Sequence, residues 1–279
     1  MASPSPLILL TGATGFVGRQ ILRVLKERGC RVRAVVRESK KDQIARTAAV
    51  EVATSSDIFA ESAVWWADIC RGVDTAIHAA WYVEPGQYLQ SPKNRQCFSG
   101  TLRLAEGSRN AKIRRFVGIG TCFEYDLNVG YLSTDVPLKP STPYAQAKVE
   151  TFAALSKFFP DNGIEFAWCR LFYLFGEGEY PRRLIPYLRA SLEAGEPAEL
   201  SSGKQIRDYL DVREAGRMIA EAALGAIQGP INICSGQPIT LRELAEGIAD
   251  EYGRRDLLRF GVRPDDRDPP CVVGIRADL

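Results

Sequence analysis

The chain has 279 residues, of which 36 are Lys or Arg and 34 are Asp or Glu, so its formal net charge at pH 7 is only +2. This balance excludes the strongly basic surface typical of nucleic-acid-binding proteins, and no apolar run approaches the length of a membrane-spanning helix. We therefore expect a cytoplasmic protein with neither a nucleic-acid partner nor a membrane partner. The cysteines are scattered and form no CxxC pair, which favours reduced thiols and no metal site.

The most informative segment lies near the amino terminus. Residues 1–6 form a short lead that we expect to be disordered, and the apolar residues Leu7–Leu10 then run through Thr11 into a glycine turn and an amphipathic run, Arg19–Arg28. A strand, a glycine turn and a helix in this order hold a phosphate, because backbone N–H groups and the positive end of the helix dipole face the anion. The pattern predicts a dinucleotide site built from Gly12, Thr14, Gly15, Phe16, Val17 and Gly18.

Apolar, strand-like runs alternate with segments of helical period up to Leu171. The predicted strands are Leu7–Leu10, Val32–Val36, Val50–Ala53, Thr75–Ala79, Phe116–Ile119 and Phe166–Leu171. The predicted helices between them are Gln20–Arg28, Ser62–Arg71, Thr101–Asn110 and Pro143–Phe159. This alternation predicts an α/β fold: a doubly wound parallel sheet of the Rossmann type, covered on both faces by helices.

The pattern changes beyond Gly176, where a loop is followed by a predicted helix at Leu184–Ala194, a short extended piece at Arg207–Leu210 and a helix at Leu241–Tyr252. We predict a dinucleotide-binding domain over residues 1–175 and a smaller C-terminal α/β lobe for the substrate over residues 176–279, with segments able to cross between them. A cleft between two such lobes is where a small substrate binds.

The end of the second predicted strand bears on the choice of cofactor. Arg37 follows the strand directly, and Glu38 lies one residue further. A carboxylate at this strand end accepts hydrogen bonds from the ribose 2′-hydroxyl of NAD, whereas an arginine attracts the 2′-phosphate of NADP. We therefore predict NADP, contacted by Arg37, and keep NAD as the alternative.

A second group of polar residues follows the fifth predicted strand. Tyr144 and Lys148 are one helical turn apart on the same face of a helix that Pro143 begins and that Ser141 or Thr142 caps. A nearby ammonium favours the phenolate, so we expect Lys148 to lower the pKa of Tyr144. Thr121 ends the fifth strand, where its hydroxyl can bind a carbonyl or alcohol oxygen of a substrate.

The glycine turn, Thr121 and Tyr144-xxx-Lys148 together resemble the extended short-chain dehydrogenase/reductase family, and within it the NAD(P)-dependent epimerase/dehydratase branch that acts on nucleotide sugars. The resemblance implies that Tyr144 is the general acid/base, that Lys148 holds the nicotinamide ribose and that Thr121 orients the reacting oxygen. It also implies that two further segments contact the cofactor. Asp57 and Ile58 flank the adenine, and His78, Ala79 and Ala80 line the cofactor, His78 being a packed strand-end residue rather than a base.

The segment Gly203–Asp211 resembles the family segment in which an arginine grips the diphosphate of the sugar nucleotide. Arg207 has that position, and Arg170 and Arg182 are further candidates for the same cleft. A guanidinium suits this role because its planar fork binds two phosphate oxygens at once. The alternative for Arg207 is an exposed ion pair with Asp208.

Two departures from the family pattern narrow the chemistry. Cys122 and Phe123 replace the Asp-Glu pair that removes water in 4,6-dehydratases, and Glu124 is displaced by one residue, so we do not expect dehydration and assign Cys122 and Phe123 to substrate binding. A helical asparagine common in the family is replaced by Cys97, and Asn94 lies nearby instead.

The resemblance is strongest to nucleotide-sugar 4-ketoreductases, such as enzymes that make CDP-abequose or a 6-deoxy-talose nucleotide. We therefore expect hydride transfer between NADP and an NDP-6-deoxy-4-ketohexose, with Tyr144 moving the proton. The alternatives are a 4-epimerase of the same family, a reductase of non-sugar ketones and a non-enzymatic NADP sensor. Two long helices are compatible with a homodimer.

Overall fold

The computed structural model describes residues 5–265 and 269–276. Its strands in chain order are β1 (Leu7–Thr11), β2 (Arg31–Arg37), β3 (Val50–Ser55), β4 (Thr75–His78), β5 (Arg115–Thr121), β6 (Tyr131–Leu132), β7 (Glu165–Leu171), β8 (Tyr173–Phe175), β9 (Ala198–Glu199), β10 (Ile206–Asp211), β11 (Gly229–Ile233), β12 (Pro238–Thr240), β13 (Leu258–Arg259) and β14 (Cys271–Gly274). Its α-helices are α1 (Phe16–Glu27), α2 (Ala63–Ile69), α3 (Lys93–Asn110), α4 (Pro143–Asp161), α5 (Leu184–Ala194), α6 (Val212–Leu224) and α7 (Leu241–Tyr252).

The largest sheet has seven strands in the order β11-β7-β5-β4-β1-β2-β3, and every neighbouring pair is parallel. All six predicted strands of the first part of the chain lie in it. The order reverses direction at β1, as in a doubly wound sheet, so the predicted fold class is confirmed. The carboxyl ends of parallel strands meet at one edge, and that edge carries the site described below.

Helices cover both faces of this sheet because its strands are apolar on both sides. Ile8 and Leu10 of β1 belong to a core cluster that includes α1 and α6, whereas Leu7 and Leu9 belong to a second cluster with α2, α3 and α4. The side chains of a strand alternate between faces, so one five-residue strand serves two cores. Helix α3 begins at Lys93, earlier than the predicted start at Thr101.

A smaller lobe packs beside the sheet. Strands β12, β10, β14 and β6 form one path of a mixed sheet, β8 also pairs with β10, and α5 and α7 share a separate apolar cluster. We predicted a division at residue 175 with segments that cross it. Helix α6 and strand β11 return to the large sheet, and β6 reaches forward into the small one. Of the predicted disordered lead, residues 1–4 lie outside the described residues.

Arg115 anchors the returning segment to the centre of the large sheet. Its side chain is completely buried at the start of β5, where the guanidinium donates to the carbonyl of Ala222 at 2.7 Å and to the carbonyl of Ile227. It also pairs with the Glu165 carboxylate at 2.8 Å. The connection from α6 to β11 is therefore held by one buried cation.

Replacing this cation tests how much stability it supplies. We expect Arg115→Met to lower the free energy of unfolding by about 2–4 kcal/mol, because it leaves two buried carbonyls without their donor. Urea unfolding followed by circular dichroism measures the change. Arg114→Met is the matched control: Arg114 also pairs with Glu165 but is 46% exposed, so the expected loss is below about 1 kcal/mol. Equal losses in the two variants would contradict this assignment.

Candidate active site

The turn between β1 and α1 has the shape that a diphosphate requires. Gly12 has φ +74°, and a Cβ there would lie 2.8 Å from the backbone nitrogen of Ala80. A Cβ on Gly18 would collide with the carbonyl oxygen of Gly12. Gly15 is the N-cap of α1 and supplies no side-chain cap, so the first N–H groups of the helix face outward. The turn therefore fits the diphosphate of a nicotinamide dinucleotide.

The other predicted cofactor contacts lie along the same edge of the sheet. Arg37 is the exposed last residue of β2, Asp57 is exposed just after β3, and its carboxylate accepts from the N–H of Phe59 at 2.9 Å. Ile58 is buried beside it. The backbone N–H of Ala80 donates to the Thr11 hydroxyl at 3.2 Å, which holds Ala79 and Ala80 against the glycine turn. The remaining turn residues, Thr14, Phe16 and Val17, are half-buried.

His78 is packed into the sheet end, as expected of a structural residue. Its Nδ1 lies 2.8 Å from the Thr11 hydroxyl and its Nε2 lies 2.9 Å from the Thr101 hydroxyl. Burial, with a smaller contribution from the charge of Lys148, lowers the pKa of His78 to about 3. The imidazole is therefore neutral and unsuited to act as a base.

Thr121, Tyr144 and Lys148 meet at the carboxyl end of β5. The Thr142 hydroxyl caps α4 by accepting from the N–H of Ala145 at 3.2 Å, which begins the helix just before Tyr144. The Thr121 side chain neighbours Tyr144 and lowers its pKa, against the larger effect of burial. The Lys148 ammonium donates to the carbonyl of Ile119 on β5 at 2.7 Å. The three predicted residues therefore form one connected group.

The expected lowering of the Tyr144 pKa by Lys148 is wrong. Burial raises the pKa of Tyr144 well above its usual value, and nearby Tyr88 adds to the rise. Burial also lowers the pKa of Lys148 to about 7, although the Glu124 carboxylate opposes this shift. The cost of removing a charge from water outweighs the attraction between the two groups. Tyr144 is thus a phenol that holds its proton.

Glu124 and Arg170 form a buried ion pair beneath Thr121, which corrects the placement of Arg170 in the substrate cleft. Their side chains are 0% and 1% exposed, and Arg170 Nε lies 2.7 Å from Glu124 Oε2. Glu124 Oε1 accepts from the backbone N–H of Thr121 at 2.8 Å, and both carboxylate oxygens accept from the indole of Trp168. Glu124 is therefore a structural anchor of the threonine.

Aromatic rings line the path from Thr121 toward Arg207. Phe123 and Tyr173 are edge to face at 6.3 Å, Tyr173 and Tyr209 are 5.8 Å apart, and the Arg207 guanidinium lies 5.4 Å from the Tyr173 ring. Arg207 also donates to the carbonyls of Ile206 and Pro269.

The alternative of an exposed ion pair between Arg207 and Asp208 is wrong. Arg207 is 3% exposed and Asp208 is 0% exposed. The Asp208 carboxylate accepts from the backbone N–H groups of Ser235 and Gly236 at 2.7 and 2.8 Å.

The remaining predicted substrate contacts differ in exposure. Cys122 is buried, and burial raises the pKa of its thiol to about 12. Arg182 is exposed on the loop before α5. The next residue, Arg183, carries the charge that lowers the pKa values of Tyr88 and Tyr209, against the larger effect of burial on both. Arg183, which we did not predict, therefore lies within electrostatic range of Tyr88 and Tyr209.

We also did not predict three residues that surround Tyr144 and Lys148. Tyr88 packs edge to face on Tyr144 at 4.9 Å, Trp81 does so at 6.5 Å, and Asn94 is hydrogen-bonded to the Trp81 indole. The sequence signal for Trp81 was its place, with Tyr82, directly after Ala80, just beyond the end of the fourth strand. Side chains after the carboxyl end of a parallel strand enter the site region.

Within residues 5–265 and 269–276, no group of three or more His, Cys, Asp or Glu side chains is arranged to hold a metal ion. No helix of that part of the chain has both the length and the apolar character needed to cross a bilayer.

Comparison with known proteins points to one family. The chain matches the model described as the NAD dependent epimerase/dehydratase family over residues 8–234. It is 26% identical over 264 residues to dTDP-6-deoxy-L-talose 4-dehydrogenase (NAD(+)) of Aggregatibacter actinomycetemcomitans, a match that covers 92% of this chain and 94% of that protein. It is also 26% identical to CDP-abequose synthase of Salmonella muenchen, over 91% of this chain and 84% of that protein. The predicted resemblance is confirmed.

A solved structure shares the fold. The UDP-N-acetylglucosamine 4-epimerase of Methanobrevibacter ruminantium M1, in complex with UDP-N-acetylmuramic acid, superposes with a TM-score of 0.85 and 21% sequence identity, covering 99% of this chain and 91% of that chain. A nucleotide-sugar dehydrogenase is therefore among the relatives of this chain, and an epimerase shares its fold.

His78 is the single histidine of the chain, so its titration can be followed without assignment. We expect its ring resonance in tag-free protein to stay that of neutral imidazole from pH 8 to pH 5, because burial holds the pKa near 3. The unfolded chain binds this proton and the folded chain does not, so unfolding free energy falls as the pH drops below about 6.5, by up to about 1.4 kcal/mol per unit. An NMR pH titration measures the ring resonance, and urea unfolding at each pH measures the free energy of unfolding.

His78→Gln is the control for the stability titration, since an amide still reaches Thr11 and Thr101 but does not titrate. The difference between the two proteins isolates the histidine from the carboxylates. A resonance midpoint near pH 6.5 would overturn the assignment.

Proposed function

Because the chain belongs to the NAD dependent epimerase/dehydratase family, we propose that it reduces the 4-keto group of an NDP-6-deoxy-4-ketohexose with a nicotinamide dinucleotide. The observation that carries this proposal is the placement of Thr121, Tyr144 and Lys148 at the carboxyl end of β5, the same sheet edge as the glycine turn. Two of the relatives named above are a nucleotide-sugar 4-dehydrogenase and a deoxysugar nucleotide synthase.

The protonation state of Tyr144 suits reduction. A phenol that holds its proton can donate it to the oxygen of a ketone as that oxygen gains negative charge. The Thr121 hydroxyl hydrogen-bonds the same oxygen and orients it toward Tyr144. The bound dinucleotide supplies the hydride to the carbonyl carbon, with Lys148 positioned to hold its nicotinamide ribose. Ketone, hydride and proton together give the alcohol.

Dehydration is disfavoured by the residues that follow Thr121. Cys122 keeps its proton because burial raises the pKa to about 12, and Phe123 carries no ionisable group. Glu124 is committed to Arg170 and to the backbone of Thr121. These side chains offer no acid/base pair beside Tyr144 that removes water from a sugar.

A 4-epimerase is the second candidate, because the same three residues serve it and an epimerase shares the fold over 99% of this chain. An epimerase returns the hydride to the sugar that supplied it, so the cofactor is unchanged at the end of each cycle. Net cofactor oxidation therefore distinguishes the two functions.

For the cofactor, we propose NADP rather than NAD. Arg37 is exposed at the end of β2, and its guanidinium can bind the two oxygens of a 2′-phosphate together. Glu38, the nearest carboxylate, is engaged by Lys41 at 2.6 Å. A carboxylate so paired is a weaker partner for the 2′-hydroxyl of NAD.

The function is tested by incubating the protein with NADPH and a panel of 4-keto nucleotide sugars and an aromatic ketone, and separately with NAD⁺ or NADP⁺ and 4-hydroxy nucleotide sugars. We expect loss of NADPH absorbance with a 4-keto-6-deoxy sugar nucleotide, because Tyr144 donates a proton as the ketone is reduced. Isomerisation of a 4-hydroxy sugar with the oxidised cofactor, without net formation of NADH or NADPH, selects the epimerase. Turnover of an aromatic ketone alone selects a non-sugar reductase, and binding of NADPH with no turnover selects a sensor.

Tyr144→Phe is the control for this experiment. It removes the proton donor and keeps the ring that packs on Tyr88, so kcat should fall by about 100- to 10,000-fold while NADPH binding is retained. Full activity in the variant would remove Tyr144 from the proposed chemistry.

Arg37→Asp tests the cofactor assignment. We expect the Kd for NADPH to rise by about 10- to 100-fold, because hydrogen bonds to a charged phosphate are lost, and the Kd for NADH to fall or stay unchanged. Quenching of tryptophan fluorescence measures both dissociation constants. Arg31→Asp, at the opposite end of β2, makes the same charge change and should leave the preference intact. Equal affinity of the wild-type protein for the two cofactors would contradict the proposal.

A further inference from the structure

The segment from Trp81 to Asn94 surrounds the Tyr144–Lys148 pair. The Lys148 ammonium lies 3.6 Å from the centre of the Trp81 ring, a close cation–π contact. Trp81 and Tyr88 both meet Tyr144 edge to face, at 6.5 and 4.9 Å. Trp81 therefore contacts both Lys148 and Tyr144, and Tyr88 contacts Tyr144.

Asn94 holds this segment in place from inside the protein. It is 2% exposed on α3, and its side-chain oxygen accepts from the Trp81 indole N–H at 2.9 Å. Its amide nitrogen donates to the carbonyls of Tyr88 and Ser91 at 2.6 and 2.9 Å. The side-chain oxygen and both amide hydrogens of Asn94 are therefore engaged in fixing the aromatic segment.

The contact with Trp81 matters because Lys148 is buried. The groups facing its ammonium are the Glu124 carboxylate, the Cys97 thiol on α3 and His78 on β4, besides Tyr144 on its own helix. His78 is neutral, and burial raises the pKa of the Cys97 thiol, so that thiol also stays uncharged. Glu124 already pairs with Arg170. Besides the Ile119 carbonyl, which accepts from the ammonium at 2.7 Å, and the Trp168 ring 5.8 Å away, the Trp81 indole face at 3.6 Å is therefore the main remaining stabiliser of the ammonium.

We propose that Trp81, fixed by Asn94, is the positioning residue that holds the Lys148 ammonium at the dinucleotide site. Cys97 lies one turn further along α3 than Asn94, at the position where the family resemblance places an asparagine. In this chain Asn94 acts on Lys148 indirectly, through an aromatic ring. The inference rests on the dinucleotide role given to Lys148 in the proposed function and is independent of the identity of the substrate.

The test compares Trp81→Leu, which removes the ring, with Trp81→Phe, which keeps an aromatic face. The readout is the ¹⁵N titration of the Lys148 ammonium in cofactor-free protein, assigned by its loss in Lys148→Met. The indole stabilises the charged form, so its removal lowers the titration midpoint. We expect a fall of about one pH unit in Trp81→Leu and recovery of most of it in Trp81→Phe.

Binding of NADPH supplies a second readout. Its Kd should rise by about 3- to 30-fold in Trp81→Leu, because the ammonium is no longer held at the site. Asn94→Ala should give an intermediate change, since the indole remains but loses its anchor. Trp65→Phe is the matched control: Trp65 packs against Trp66 on α2, and both readouts should match the wild type.

An unchanged Lys148 midpoint in folded Trp81→Leu overturns the inference, as does a shift of the same size in Trp81→Phe and Trp81→Leu. A melting curve confirms that each variant is folded, and the intermediate change expected in Asn94→Ala keeps the test valid if Trp81→Leu unfolds. Failure of the proposed function is a separate result. It appears as absence of turnover by the wild-type protein on the sugar panel, and the titration does not depend on it.

Discussion

The buried carboxylate of Glu124 is the interaction on which the arrangement of the site depends. It fixes the backbone of Thr121 and pairs with Arg170 on β7. From Arg170 a hydrogen bond continues to the Tyr125 hydroxyl at 2.9 Å, and that hydroxyl donates to Asn232 on β11 at 2.7 Å. The Asn232 amide then donates to the carbonyl of Leu132 on β6, in the smaller lobe. One polar chain thus links the threonine to both sheets.

Such a buried polar network destabilises the protein unless each of its groups has hydrogen-bond partners, because removing two charges from water takes several kcal/mol per ion. Here the carboxylate has three donors that make four contacts: the Thr121 N–H, the single Trp168 indole N–H, which reaches both oxygens, and the Arg170 guanidinium. Removing one partner would leave an unbalanced charge in the core, so the network favours one register of β5 against β7. The position of Thr121 relative to the smaller lobe follows from that register.

The sequence predicted the large sheet well because fully buried parallel strands are continuous apolar runs, and the glycine turn has few other uses. The sequence did not predict the location of a charged side chain where that location depends on the direction in which the side chain points. Arg170 and Arg207 both read as cleft arginines, yet Arg170 is turned into the core toward Glu124. Hydrophobic periodicity also did not predict α6 and β11, because these elements pack on the large sheet through contacts between residues far apart in the sequence. Trp81 and Tyr88 were missed because irregular segments carry no period that reveals their contacts, and the role of Asn94 on α3 was missed because it depends on those contacts.

The sign of the Tyr144 pKa shift shows a further limit of arguments from spacing. A lysine one turn away suggests an activated phenolate, but that argument omits the cost of burying the charge, which is the larger effect here. The same burial leaves few alternatives for proton transfer. His78 is neutral, Cys122 keeps its proton, and Glu124 is held in an ion pair. Among these groups around Thr121, Tyr144 alone carries a hydroxyl proton, which is a stronger hydrogen-bond donor than the Cys122 thiol. Burial therefore directs the chemistry of the site toward protonation of an oxygen, the step that reduction of a ketone requires.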